Sequence, residues 1–343
     1  MAVDIKQNDT PATGEEHSGR KPQSLIKRIF QIREMGVLGA LVAIIIIMSF
    51  ASPYFLKPEN IFNVLRGMST IGIMAIGITM VILTAGIDLS VGSLLAVSGM
   101  LMARLLFVGF PLFPAMLLGI AIGTALGGFD GFVITRFRVT PLIAGIGMLS
   151  IARGLTVLLA TGLRGAVASN IPIESPFIDF LGSGYVGPVP MPVILMFFLV
   201  IVFSFFLKNT VLGRQIYAVG SNAEAARLSG VNVRRVLMFV YTINGALCAF
   251  AGIVQAGLLS TAATNAGTGA ELSVVAAVVI GGTSLFGGEG SIWGSIIGAA
   301  IMAIVRNAFV LLHLPSAAQT ITIGLVIIAA VAVDNMRKRP GKA

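Results

Sequence analysis

PVILMFFLVIVFSFFL (192–207), SNAEAARLSGVNVRR (221–235) and VLMFVYTINGALCAFAGIV (236–254) follow in that order, and the alternation of apolar, polar and apolar blocks decides the fold. Each apolar block approaches the roughly 20 residues that carry a helix across the hydrocarbon core of a bilayer. Outward from this point the same alternation repeats along the chain. Hydrophobic residues fill 56% of 343 positions and charged residues 11%, with a mean hydropathy of +0.97, well above a soluble domain of this length. The pattern predicts an all-α polytopic membrane protein of about ten transmembrane helices. The expected spans are 36–53, 64–84, 90–108, 112–134, 141–161, 189–207, 236–258, 271–286, 291–311 and 317–334.

Three regions follow from this. Residues 1–35 read as a polar cytoplasmic tail, 36–335 as the transmembrane domain with a polar loop at 208–235, and 336–343 as a basic cytoplasmic tail. A secretory signal would place its apolar core near the start; here about 35 residues, several of them acidic, come first, so Gly36–Ser52 reads as a retained first span. The formal charge of +9 does not point to nucleic acid, because the basic residues lie in the tails and in short gaps. The amino-terminal tail, the Arg136/Arg138 gap, the 208–235 loop and the terminal MRKRPGKA hold most of them, while the opposite gaps hold scattered ones such as Lys57 and Arg164. The positive-inside rule then places both termini in the cytoplasm.

GIDLSV at 86–91 is echoed by GAELSV at 269–274, each between the second and third spans of a five-span half. Five is odd, so the halves are expected to be inverted relative to each other, a five-plus-five repeat of the kind transporters use. Asp88 and Glu271 stand where apolar runs restart, and a carboxylate at membrane depth costs about 2.5–3.5 kcal/mol unless it faces protein or water. Each can serve as a helix cap, with Asp88 and Ser90 meeting free backbone amides. Each can also border a cavity beside a helix that begins inside the membrane. Asp130 in GGFDGFVI and Glu289 in GGEGS raise the same question.

Glycines recur inside the spans, and GIAIGTALGGFDG (119–131) reads as a close-packing surface between helices. IGGTSLFGGEGS (280–291) is glycine-dense enough to predict a broken helix or a tight cytoplasmic turn. Cys248, the single cysteine, excludes an internal disulfide and a cysteine metal cluster. No HExxH, GxSxG or GxxxxGK[ST] motif occurs, and the two histidines, His17 and His313, fall in a tail and a loop. The chain therefore has no enzyme constellation and no phosphate loop of its own. Trp293 is the only tryptophan, and no cluster of aromatics with Asn, Asp and Arg of the kind that binds sugars is visible in the sequence.

The polar loop itself reads as a short bounded helix. Ser221-Asn-Ala-Glu224 has the spacing of a capping box, and Gly230 supplies the left-handed stop. Ala225 and Leu228, three apart, form a narrow apolar stripe that so small a loop cannot bury, which suggests a protein partner.

Glu224-Ala225-Ala226 with Gly230 four residues on resembles the coupling loop of permease subunits in binding-protein-dependent ABC importers. VILTAGIDLSVGSLLAVSG (81–99), ARLSGVNVRRV (226–236) and VVAAVVIGGTSLFGGEGSIWGSIIGA (274–299) extend the likeness to the sugar permeases of the ribose, xylose, allose and arabinose group, over about residues 36–335. The long polar amino-terminal tail departs from that pattern. The resemblance implies a bacterial inner-membrane machine: two permease copies, identical or closely related, an ABC ATPase that binds ATP and Mg, and a periplasmic or lipid-anchored sugar-binding protein. It makes Ser221, Glu224, Ala225, Ala226, Leu228 and Gly230 the ATPase-coupling helix, and Asp88, Ser90, Glu271 and Ser273 pathway or gate residues. Two alternatives stay open at this point, an ion-coupled secondary transporter and an ABC permease for a branched-chain amino acid.

Overall fold

The computed structural model describes residues 33–161 and 169–337. The expected tails before residue 33 and after residue 337, and Arg164, lie outside the described residues. Among the described residues six helices are long and apolar enough to cross a membrane: α2 (Pro58–Leu83), α4 (Leu112–Phe137), α5 (Pro141–Ala160), α7 (Met191–Asn209), α10 (Val233–Leu258) and α12 (Ile292–Leu311). Four more carry shorter apolar stretches: α1 (Arg33–Ala51), α3 (Val91–Phe107), α11 (Ala270–Ile280) and α13 (Ser316–Arg337).

Three short helices lie between them: α6 (Pro176–Ser183), α8 (Val211–Ser221) and α9 (Ala223–Leu228). Two small antiparallel ribbons pair β1 (Asn170–Pro172) with β4 (Thr261–Ala263) and β2 (Tyr185–Val186) with β3 (Val189–Pro190).

Helix α2 is the axis of the bundle, buried at every position from Met68 to Leu83. Helices α4, α5 and α7 instead turn Phe113, Leu117, Leu158, Phe198 and Phe205 outward, as spans do where the solvent is lipid rather than water. The glycine stripe of α4 is a contact surface, as its sequence suggests. A Cβ at Gly127 would stand 2.9 Å from the Gly245 Cα of α10, so the two backbones touch without intervening side chains.

One expected span and one expected gap come out differently. The span at 271–286 is an 11-residue helix, about 16 Å long and too short to cross a bilayer alone. It stops at Gly281, and the left-handed Gly282 turns the chain away. The stretch 162–188, expected only as a gap, carries α6 and strand residues among its described part.

The short helices α3 and α11 begin inside the bundle. Helix α3 runs alongside α10 in the same direction, with Gly99 against Gly252, and its approach segment is bonded at Asn244 in the interior of α10. Helix α11 runs the opposite way, antiparallel to α12, with Ala277 against Gly298 and Gly281 against Gly294. Their starts meet, because a Cβ at Gly92 would lie 2.6 Å from Glu271 Oε1.

Candidate functional site

The polar loop forms two helices with a sharp joint. Thr210 caps α8, its side chain accepting the Gly213 N–H at 3.0 Å. At Asn222 the backbone is extended (φ −163°, ψ 102°), which breaks the helix, and the Asn222 side chain accepts the Ala225 N–H at 2.9 Å to start α9. The capping box expected at Ser221 is therefore displaced by one residue. Ser221 closes α8 and its Oγ donates to the Tyr217 carbonyl at 2.9 Å. Glu224 does not reach back; it accepts from Arg227 Nε at 3.1 Å and from the same guanidinium's Nη2. That hydrogen bond and charge hold the Glu224 carboxyl below its ordinary range and raise Arg227.

The stop at Gly230 (φ +86°) is as expected. Val231 N–H reaches the Ala226 carbonyl and Gly230 N–H the Arg227 carbonyl, both at 3.0 Å, the paired bonds of a Schellman ending. Ala226 packs against the body, whereas Ala225 is exposed and Leu228 is 76% exposed.

Beneath α9 three chain segments meet on backbone. The Gly288 N–H donates to the carbonyl of Leu83, the last residue of α2, at 2.9 Å, and Tyr217 of α8 donates its hydroxyl to the Gly290 carbonyl at 2.9 Å. Gly220 sits between them, where a Cβ would stand 2.7 Å from the Gly288 nitrogen. The glycine-dense 281–291 stretch is thus a tight turn clamped to the ends of α2 and α8.

From Leu83 the chain passes in five residues to Asp88, which is 1% exposed. Asp88 Oδ1 accepts the Ser90 N–H at 2.7 Å and Oδ2 accepts from Asn244 Nδ2 at 2.8 Å. Asp88 therefore closes its own turn rather than capping α3. Ser90 occupies the cap position with no side-chain cap bond, and its buried Oγ has no hydrogen-bond partner among the described residues. Asp130 Oδ2 and the Tyr241 hydroxyl are buried and likewise unbonded, and both groups lie within electrostatic range of Asp88. Sequence reading missed Asn244 and Tyr241; an asparagine inside an apolar span was the available signal.

Glu271 pairs with Arg153 of α5 at 3.8 Å. The same guanidinium donates to the Thr264 and Ala266 carbonyls at 3.1 and 2.8 Å, pinning the turn before α11. Ser273 is buried and donates to the Gly269 carbonyl at 3.1 Å. Asp88, Ser90 and Glu271 thus gather around the start of α3, while the α9 residues lie at the Leu83 end of α2.

At the far end folding assembles what the sequence hides. Phe62, Asn63 and Arg66 of α2 and Tyr185 of the β2–β3 ribbon line a cleft of about 520 Å³. Phe62 meets Tyr185 edge-on, and Arg66 lies over the Tyr185 ring and bonds its hydroxyl. Over a hundred residues separate the two segments, so no local pattern reveals the cluster. Among the described residues no group of three or more His, Cys, Asp or Glu is placed to hold a metal.

A polytopic helical bundle in which an 11-residue helix meets the start of α3 at the centre and a capped helix is exposed at one end fits a transport permease. The chain belongs to the family described as the permease component of branched-chain amino acid transport systems, whose model matches residues 60–331. It is 40% identical over 307 residues to a ribose import permease of Escherichia coli K12, covering 90% of this chain and 95% of that protein. Against the ribose import permease of Bacillus subtilis it is 38% identical, covering 89% and 94%. Against the D-allose transport system permease of Escherichia coli K12 it is 35% identical, covering 88% and 91%. No solved structure matches the chain.

Proposed function

We propose that this protein is the membrane-spanning subunit of an ATP-driven importer for a monosaccharide of the ribose type. The similarity to ribose and allose permeases along nearly the whole chain supports the cargo. The observation that carries the coupling is α9: an apolar Leu228 held outward on a helix fixed at both ends and joined through Ser221 and Gly220 to the junction of α2, α8 and the 281–291 turn. A partner ATPase binds ATP and Mg, and its closure moves α9. Gly220 and Gly288 pass that displacement to Leu83, and the 84–90 segment carries it to Asp88 at the bundle centre. Two permease subunits, identical or closely related, form the path, and a periplasmic or lipid-anchored binding protein delivers the sugar. The protein sits in the inner membrane with both termini in the cytoplasm. The opposite directions of α3 and α11, each opened by one copy of the echoed motif, support the inverted five-plus-five repeat.

The test is co-purification with the candidate ATPase, comparing wild type with a Glu224→Arg, Gly230→Pro double variant, then ATP hydrolysis in lipid discs. The expected result is loss of the complex with the permease still folded. An unchanged complex and unchanged hydrolysis would reduce α9 to an ordinary loop helix and favour ion coupling. The family description supplies a second reading, a branched-chain amino acid cargo. Competition of D-ribose against L-leucine for uptake in proteoliposomes separates the two.

A further inference from the structure

Arg306 is the fifteenth of the 20 residues of α12, a place where a guanidinium must face protein, water or the membrane surface. Its neighbour Asn307 is engaged, exchanging amide bonds with Asn60 of α2 at 2.7 and 3.1 Å. Arg306 is not: its side chain is exposed and makes no hydrogen bond or ion pair with any described residue. It opens instead into a cleft of about 160 Å³ in the half of the bundle away from α9. Thr70 of α2, Gln255 of α10 and Thr268 of the turn before α11 line the same cleft, which reaches Met74 and Ala270. Ala270 is the first residue of α11, so the cleft ends where that helix begins. The wall formed by the turn is rigid, because Arg153 holds the Thr264 and Ala266 carbonyls on it.

The lining defines a ligand chemistry. Threonine hydroxyls and the glutamine amide both donate and accept, while the guanidinium offers five N–H donors. No Asp or Glu lines the cleft, so nothing there selects a cation. At about 160 Å³ the cleft has room for several waters, enough to admit one sugar ring. We propose that this cleft is the station that receives a neutral monosaccharide before the bundle centre opens, with Arg306 the principal donor to its hydroxyls. The assignment rests on the sugar-importer reading above and adds to it the residues that meet the cargo.

The experiment uses the assembled importer in proteoliposomes, with D-ribose and L-leucine as probes. Arg306→Gln is expected to lower D-ribose uptake by about tenfold or more, with complex assembly and sugar-free ATP hydrolysis unchanged and Arg306→Lys retaining part of the uptake. Thr268→Cys, made in a Cys248→Ser chain, is expected to react with a membrane-impermeant maleimide added on the side opposite the ATPase. Uptake by Arg306→Gln within about twofold of wild type, or a Thr268→Cys that does not label, overturns the station while leaving the importer reading intact. Wild-type uptake of L-leucine with no uptake of D-ribose overturns the sugar reading itself, and the sugar occupant with it.

Discussion

Gly220→Ala tests whether the junction under α9 transmits force through backbone contact. The added methyl would stand 2.7 Å from the Gly288 nitrogen and 2.8 Å from the Leu83 carbonyl carbon, closer still to the Leu83 oxygen, where ordinary contact begins at 3.4 Å. All three atoms are backbone, so no rotamer change relieves the clash. Helix α8 must retreat from the end of α2 by roughly the shortfall, and the Gly288 N–H to Leu83 carbonyl bond of 2.9 Å is stretched or lost. Overpacking costs about 1–3 kcal/mol and the hydrogen bond about 1 kcal/mol more. A total near 2–4 kcal/mol lowers the melting temperature by about 4–8 °C at the slope of larger domains. Gly230→Ala, on the same loop, is the control. No atom lies within 4 Å of its Cβ position and its only strain is φ +86°, so about 1–2 kcal/mol is expected. The assay is ATP-driven uptake in proteoliposomes together with the melting temperature of the detergent-purified chain. Gly220→Ala should lose uptake more completely than it loses ATPase binding, whereas Gly230→Ala should affect both mildly. Equal melting temperatures and equal uptake for Gly220→Ala and wild type would refute transmission through this junction.

Asn244→Ala leaves Asp88 Oδ2 without its 2.8 Å donor in a buried site, which should cost about 1–3 kcal/mol and appear as non-additivity in a double-mutant cycle with Asp88→Asn. Arg153→Ala frees the Thr264 and Ala266 carbonyls as well as Glu271 and should lower the melting temperature more than Glu271→Gln, which removes only one long ion pair of 3.8 Å; the reverse order would show that the pair, not the carbonyl clamp, holds the turn. The Glu224 carboxyl is held below its ordinary 4.5 by Arg227, so its contribution to α9 is complete above pH 4.5 and fades as the pH falls through the lowered value. Carbon-detected titration of Glu224 should show that depression in wild type and lose it in Arg227→Ala.

The spans were legible because length and hydropathy are properties of the segment itself. The starts and ends of α2, α10 and α12 fall within a few residues of the predicted ones, save the six-residue amino-terminal extension of α2. What escaped was set by glycine geometry and by tertiary partners. The run 271–286 is apolar without a break from Val274 to Ile280, yet Gly281 and Gly282 end the helix by backbone conformation, which hydropathy does not weigh. The cap of α9 moved one residue because Ser221 satisfies the Tyr217 carbonyl of the preceding helix, and that helix was not foreseen. Asn222 was then the nearest side chain able to accept the orphan amide, a role asparagine fills as well as serine.

The candidate site shows a deeper limit, because an echoed motif does not imply an echoed chemistry. Asp88 and Glu271 occupy matching places in GIDLSV and GAELSV, and each stands near the start of a helix that begins inside the bundle. Asp88 lies outside its helix, bonded to its own turn and to Asn244 of α10. Glu271 lies within the first turn of its helix and faces Arg153 of α5. The reason is the partner each half meets: the first motif is reached from the end where Leu83 is clamped to Gly288, and the second from a turn fixed at the other end by two carbonyls on Arg153. A motif read in sequence reports the backbone need common to both copies, a helix start in a place without water. Asn244 and Arg153 come from elements far away in the chain, so the different chemistry at the two starts becomes visible only once the bundle brings them together.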